Sequence, residues 1–365
     1  MEAAEYDLIV VGAGPAGSAC AIIAARSGSK VLLLEKDRFP RHKVCGEFVS
    51  SESLRLLDWL LESTPFRDKP EITSSRVFSG RKIVTLPIFP CARSIPRYDL
   101  DLALLEAARN SGVRAEEGAT VREVDYQDAF RVETSSATFT ARAVVNATGR
   151  WSQLTQHPPQ GEKWIGVKAH FHEDNPPPSV DLYFFDGGYC GVQPVGPNAV
   201  NACAMVRSDA ARSLDEVFAR QSDLFRRSRD WEPLFPAITT SPLYFRKPQT
   251  ESRGMLLAGD SASFIDPFAG DGISLAMHSG SLAAQSLQQF LAGKASLAHA
   301  QGEYCKSYMK RFAPVFRNAA RVRMALSAPT LIRSMLLSLA ATPPISGIIV
   351  RGTRVRFPNP GTVPY

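Results

Sequence analysis

Three glycines, Gly12, Gly14 and Gly17, separate an apolar run, Asp7 to Val11, from an alanine-rich run that reaches Ser27. Their spacing suits one chemistry. Gly12 permits a tight turn, Gly14 has no Cβ to keep a pyrophosphate away, and Gly17 lets the next helix lie close on the strand. Free N–H groups and a partial positive charge at that helix start favour phosphate. A second apolar run, Val31 to Glu35, ends on an acid placed to accept ribose hydroxyls. The order strand, glycine turn, helix, strand, acid implies a dinucleotide site opening an α/β domain.

Two later patches fit the same ligand. An apolar strand delivers Gly259-Asp260, where a carboxylate can accept a ribityl hydroxyl. The loop Asp266-Pro267-Phe268-Ala269-Gly270-Asp271-Gly272-Ile273 then enters a helix over Ile273 to Phe290, whose first amides suit a pyrophosphate oxygen or an electron-rich ring edge. Arg97 opens another helix, reaching Ser111, and its guanidinium can fork onto phosphate or ribityl oxygens.

Other candidates carry less. His170 and His172 share a strand face with no third metal ligand nearby, so no metal is expected. Ser261 lies in no Gly-x-Ser-x-Gly elbow, which argues against a hydrolase. Cys45, taken alone, reads as an inert buried thiol.

The elements that must position these residues alternate in type. Continuous apolar runs at 7–11 and 31–35 read as buried parallel strands and 143–149 as a buried strand ending in a glycine turn, with a crossover helix over 16–27. A helix is expected over 51–61, sheet over 76–86, short strands at 113–117 and 120–124, and a hairpin over 130–140. From 164 to 206 the texture changes to alternating strands between proline clusters, an antiparallel sheet. A helix over 215–229 closes it. After Gln301 the chain reads as helical, broken by Pro314, Pro329 and Pro343-Pro344.

With 365 residues, 44% hydrophobic and 21% charged, the chain is globular and large enough for more than one lobe. Six cysteines without a Cys-x-x-Cys pair suit a reducing compartment, and the first strand starts too early for a secretory leader; cytoplasmic residence is expected. The net charge of +6 is uneven. Residues 306–365 hold ten Lys or Arg and no acid, leaving 32 basic and 36 acidic residues elsewhere. No nucleic-acid partner is expected of that body. Leu331 to Leu339 and Ile348 to Val350, beside Arg333, Arg351, Arg354 and Arg356, are interrupted too often to span a bilayer. The tail either meets an anionic membrane peripherally or packs on the acidic body.

Together, Gly12/Gly14/Gly17, Glu35, Lys43-Val44-Cys45-Gly46, Arg97, Ala147-Thr148-Gly149 and Gly259-Asp260…Pro267…Gly270-Asp271-Gly272 resemble the FAD-dependent oxidoreductases of the p-hydroxybenzoate-hydroxylase type, in particular their geranylgeranyl-reductase-like branch. The resemblance implies an α/β fold: a Rossmann-like FAD-binding domain of GR2 type with an inserted antiparallel-sheet substrate domain and a C-terminal helical tail. The expected division is 1–75, 97–155 and 250–300 for FAD, 76–96 and 156–249 for substrate, and 301–365 for the tail. It places Gly12, Gly14, Pro15, Ala16 and Gly17 on the pyrophosphate, Glu35 on the adenosine ribose and Val121 at the adenine. Arg97 and Asp260 belong near phosphates and ribityl, and Gly272 and Ile273 under the isoalloxazine. Lys36, Arg41, Cys45, Gly46, Gly149, Gly259, Pro267 and Gly270 complete the cofactor set, with Cys45 also the one catalytic candidate.

NAD(P)H is expected as a visiting electron donor, since no second glycine fingerprint exists. For a lipophilic aromatic or polyketide-like substrate the expected contacts are Tyr183, Phe185, Tyr189, Gln193 and Phe268. Tyr189-Cys190-Gly191-Val192-Gln193-Pro194 keeps the Tyr and Pro of the prenyl reductases' Tyr-x-Trp-x-Phe-Pro but not the Trp and Phe. The halogenases' Trp-x-Trp-x-Ile-Pro is also missing, which argues against halogenation. Hydroxylation or epoxidation by a monooxygenase is the first expectation, reduction of isoprenoid double bonds the alternative, and a flavin-binding protein without turnover the third.

Overall fold

The computed structural model describes residues 4–80, 82–150, 154, 163–240, 243–245 and 247–326. β1 (Tyr6–Val11), α1 (Pro15–Arg26) and β2 (Val31–Glu35) form the expected strand–helix–strand unit. The short β3 (Phe48–Val49) and α2 (Ser51–Leu61) lead to a long hairpin, β4 (Glu71–Ser79) and β5 (Lys82–Ser94). After α3 (Arg97–Asn110) come β6 (Arg114–Glu117), β7 (Val121–Tyr126), β8 (Phe130–Thr134) and β9 (Thr138–Asn146). β10 (Trp164–His172), β11 (Ser179–Phe185), β12 (Gly188–Gly196) and β13 (Ala199–Arg207) follow, then α4 (Leu214–Phe218) and α5 (Ser222–Arg227). The short strands β14 (Ile238–Thr239), β15 (Glu251–Ser252) and β16 (Met255–Leu257) precede α6 (Gly272–Leu291) and α7 (Leu297–Leu326).

Two sheets result. The first runs β15-β16-β9-β1-β2-β6, with the β7–β8 ribbon on β9. β1 lies between β2 and β9, parallel to both, and is buried on both faces, which is why its sequence is a continuous apolar run. Helices α1, α3, α6 and α7 share one core against it. The second sheet runs β14-β10-β13-β12-β11-β4-β5-β3. It is antiparallel except where β4 pairs parallel with β11. Its outer face, with Phe171, Tyr183, Phe185 and Val192, packs on Leu214, Val217 and Phe218 of α4 and Leu224 of α5.

The structure differs from the sequence expectation in four places. The helix over 215–229 is two short ones, because Ser213 caps the first by accepting from the Glu216 N–H and Gln221 caps the second by accepting from the Leu224 N–H. The second sheet reaches back to β3 and to Glu71, earlier than residue 76. Pro314 does not break α7, which is held along its length by Tyr304, Tyr308, Phe312, Val315 and Ala319, buried at helical spacing. Residues 301–326 are therefore part of the body, and the Tyr304 hydroxyl donates to the Leu257 carbonyl at 2.7 Å. The apolar and basic runs of 327–365 lie outside the described residues. No described helix is long and apolar enough to cross a membrane.

Helices α1 and α6 pack backbone to backbone. A Cβ on Gly280 would lie 1.9 Å from the Ala16 carbonyl oxygen. Backbone cannot yield there as a flexible side chain would, so Gly280→Ala is expected to cost about 3 kcal/mol. Gly302→Ala, on α7 with open space around it, is expected to gain up to about 1 kcal/mol. Urea unfolding of the two variants measures both.

Candidate active site

One large cavity, about 1260 Å³, runs from the glycine turn to the inner face of the second sheet. At its first end β1 stops at Gly12, whose φ is 101° and whose Cβ would lie 2.5 Å from the Ala147 carbonyl oxygen. Gly17 is equally constrained, a Cβ falling 1.7 Å from the Gly12 carbonyl oxygen. The α1 N-terminus is thereby presented to the cavity with Pro15 in its first turn, where no N–H is missed. Glu35, buried at the end of β2, accepts from the Ala13 N–H at 2.8 Å and the Asp37 N–H at 3.1 Å.

Two cations overlook that helix start. Arg97 Nη2 and Lys43 Nζ each lie 3.8 Å from the position a Cβ on Gly14 would take. Both are held by Asp101, which is fully buried and accepts a fork from Arg97 at 2.6 and 2.7 Å, with Lys43 at 3.5 Å. Burial alone would raise the Asp101 carboxyl; the charges of Arg97 and Lys43 outweigh it and keep the group ionised. Desolvation pulls the Lys43 ammonium below its usual range, Asp101 opposing. Two cations against one carboxylate leave a net positive charge at a helix N-terminus, the complement of a diphosphate.

The other arm of the cradle comes from β9 and β16, which pair in parallel through Leu256 with Val145 and Leu257 with Asn146. Beyond them Asp260 lines the cavity beside Arg150, at 3.5 Å. Ser261 accepts from the Gly149 N–H at 2.9 Å and donates to the Gly149 carbonyl at 3.0 Å, joining two motifs far apart in sequence. That accounts for a serine that has no nucleophile elbow.

The cavity wall includes Gly12, Gly14, Pro15, Ala16, Glu35, Lys36, Arg41, Cys45, Gly46, Arg97, Val121, Gly149, Gly259, Asp260, Pro267, Gly270, Gly272 and Ile273, every expected cofactor residue except Gly17, which packs behind the turn. Lys43, Thr148 and Arg150 are additional. Lys43 had a signal, as a cation two residues from Cys45, whereas Arg150 gives none before β9 and β16 are paired.

Among the expected substrate contacts, Tyr189, Gln193 and Phe268 line the cavity; Tyr183 and Phe185 do not. They do share a face of β11, but it is the outer one. The Tyr183 ring stacks on Phe78 at 4.4 Å and its hydroxyl accepts from Arg227 at 3.1 Å. Leu182 and Phe184, one residue out of phase, face the cavity instead. The sequence alternation identified the faces but not which was inward. His170 and His172 also part company: His170 meets Glu47 at 2.8 Å, and the exposed His172 faces Asp174 at 3.7 Å. Cys45 lines the cavity, its Sγ accepting from the Glu47 N–H at 3.3 Å, and the Cys203 thiol, also on the wall, is pushed up to about 12 by burial.

The dinucleotide reading meets its family here. The "FAD dependent oxidoreductase" models match residues 7–40 and, separately, 88–187. The chain is an FAD-dependent oxidoreductase. The oxidoreductase is 24% identical over 321 residues to a 1H-pyrrole-2-carbonyl-[peptidyl-carrier protein] brominase of Pseudoalteromonas luteoviolacea, covering 79% of this chain and 78% of that one. It is 28% identical to the menaquinone reductase of Mycobacterium tuberculosis, over 77% and 76% of the two chains. To the digeranylgeranylglycerophospholipid reductase of Methanocella arvoryzae it is 29% identical, over 76% of each. Its fold is similar to that of the myxobacterial chondrochloren halogenase CndH, with a TM-score of 0.78 and 21% identity over 94% of this chain and 90% of that one. The Rossmann-like FAD-binding fold is shared with halogenases and reductases alike.

The residues present fit FAD. The cavity exceeds the usual 300–1000 Å³ of small-molecule sites, leaving room for a second molecule. Lys43→Met removes one of the two cations at Gly14 and is expected to weaken FAD binding about tenfold or more, measured by fluorescence titration of the apoprotein.

Asp266, which opens the loop at 266–273, accepts from the Tyr189 hydroxyl at 3.3 Å and lies 3.9 Å from Arg323 of α7. Burial raises its carboxyl to about 6 from 3.8. A group raised on folding stabilises fully below its unfolded value, and that contribution is lost as pH rises through the folded one. Asp266→Asn is therefore expected to be more stable than the parent by about 2–3 kcal/mol at pH 8 and no more stable at pH 3.5, measured by denaturation across pH.

Proposed function

We propose that this FAD-dependent oxidoreductase reduces carbon–carbon double bonds in a long lipophilic substrate, with NAD(P)H as the electron donor. One observation carries the reading. Beyond the flavin cradle the cavity continues along the second sheet between Val77, Leu86, Ile88, Leu182, Phe184 and Met205, an apolar wall crossing β4, β5, β11 and β13. A wall of that kind selects for hydrocarbon by burial and excludes water. The two positions where prenyl reductases carry Trp and Phe are Gly191 and Gln193, both on the wall, so small and polar residues there leave extra width. Gln193 is fixed by donating to Ser94 Oγ at 2.6 Å. The likeness to the menaquinone and digeranylgeranylglycerophospholipid reductases agrees with a lipid-chain substrate.

Bound FAD supplies hydride chemistry; the chain's residues bind and orient. Arg97 and Lys43 hold the diphosphate, Glu35 the ribose, Asp260 the ribityl, and the apolar wall lays the substrate alongside. Tyr189 is kept a neutral phenol by burial and then by the Asp266 charge, so it adds no anion to the wall, and its O–H is held by Asp266.

The second reading is an oxygen-dependent reaction, hydroxylation or halogenation. The likeness to the brominase and to CndH favours it, against the missing Trp pair at Tyr189 and Gly191. Oxygen separates the two. Purified protein with NAD(P)H and a polyprenyl lipid is expected to give saturated product under anaerobic conditions. Product that needs O₂, with or without halide, would install the second reading. Gly191→Phe is expected to raise KM for long-chain substrates severalfold while FAD affinity stays unchanged.

A further inference from the structure

The loop from Arg41 to Glu47 brings Lys43 and Cys45 into the cavity although no strand or helix holds it. Glu47 anchors it. Its φ of 63° is in the left-handed region, rare for a residue with a side chain and kept only where surroundings over-determine it. The surroundings do so. The Glu47 carbonyl accepts from the Ile95 N–H at 2.9 Å. Its carboxylate, fully buried, accepts from the Arg97 N–H at 2.8 Å and from the Lys168 ammonium, and meets His170 Nε2 at 2.8 Å. Lys168 and His170 stand on one face of β10 in the second sheet, and the Lys168 side chain has no exposure. Asn201, the cross-strand partner of His170, donates to the Cys45 carbonyl at 3.0 Å. Val44 fits the groove at Gly166, where a Cβ would fall 2.7 Å from its Cγ1.

Lys168, His170 and Asn201 line no part of the cavity, yet they fix the loop that does. The same carboxylate also receives the N–H of Arg97, so one buried anion sets the backbone of both cation-bearing segments at Gly14. A buried ion pair persists only when every partner is in place.

We propose that Glu47, Lys168 and His170 are positioning residues for FAD, through which the second sheet sets the cofactor affinity of the first. Cofactor uptake then requires the two sheets to be docked, and Lys168 and His170, which lie off the cavity, control its binding.

The test uses the full-length apoprotein titrated with FAD alone, so its outcome is independent of any substrate. Lys168→Met/His170→Phe leaves Glu47 charged and unpaired, and is expected to lower the melting temperature and weaken FAD binding at least tenfold. Adding Glu47→Gln removes the orphan charge. The triple variant is expected to regain melting temperature but still bind FAD at least tenfold more weakly, with a shifted visible flavin band. A merely structural role would restore both together, so a triple variant binding FAD within twofold of the parent overturns the proposal. Should that variant not fold, Asn201→Ala decides: a severalfold weaker FAD complex at unchanged melting temperature supports the proposal, and unchanged affinity overturns it.

Discussion

Three glycines in the layer of the first sheet meet a backbone carbonyl where a Cβ would stand, and the site depends on them. Gly12 lies against the Ala147 carbonyl, Gly17 against the Gly12 carbonyl and Gly280 against the Ala16 carbonyl. These contacts draw the β1–α1 turn, the end of β9 and the middle of α6 into one knot of backbone. Segments separated by more than a hundred residues thereby become three sides of one cradle. Side chains at any of the three would part the walls before they altered any group that touches ligand. The cradle's chemistry is thus a consequence of steric emptiness, and its polar groups are aimed by packing rather than by their own reach.

Charge is handled by the same economy of position. Asp101 and Glu47 are both fully buried carboxylates, and each faces two cationic or potentially cationic partners. Asp101 holds Arg97 and Lys43 at the start of α1, where the surplus positive charge suits a diphosphate. Glu47 holds Lys168 and His170, and its compensation is internal. The first arrangement is completed by cofactor and the second by docking of the second sheet. Arg97 belongs to both, its guanidinium on Asp101 and its backbone N–H on Glu47.

The sequence made the cofactor end legible because steric and electrostatic demands there name residue types. A pyrophosphate at a helix start needs small residues at Gly12 and Gly14, and the acid at Glu35 follows at a fixed reach. The substrate end imposes no such identity. Alternation along β11 separated Tyr183 and Phe185 from Leu182 and Phe184, but aromatic size suggested the wrong face as inward. The deciding partners, α4 and α5 with Arg227, lie some forty residues downstream. Lys168 and His170 were equally opaque: Lys168 carries no signal and His170 pairs by period two with His172, like sheet-surface histidines, until Glu47 is brought beneath Lys168 and His170. Pro314 misled because its local cost is overridden by the buried face of Tyr304, Tyr308 and Phe312.

The inner face of the second sheet is divided along its width. Toward β10 and β13 it carries Lys168, His170 and Asn201, which grip the Arg41–Glu47 loop; toward β11, β4 and β5 it carries Leu182, Phe184, Val77, Leu86 and Ile88, which form the dry wall. Between them β12 contributes Tyr189, Gly191 and Gln193, in register with Met205, Cys203 and Asn201. Because side chains alternate strictly along a strand, a slip of one residue would bury the anchors under α4 and α5 and turn the wall's apolar residues outward. Hydrogen-bonded register therefore fixes both the cofactor loop and the substrate wall, and the distance between them is a property of one rigid sheet. Chemistry that depends on laying a long apolar chain at a set offset from a flavin needs that single reference frame.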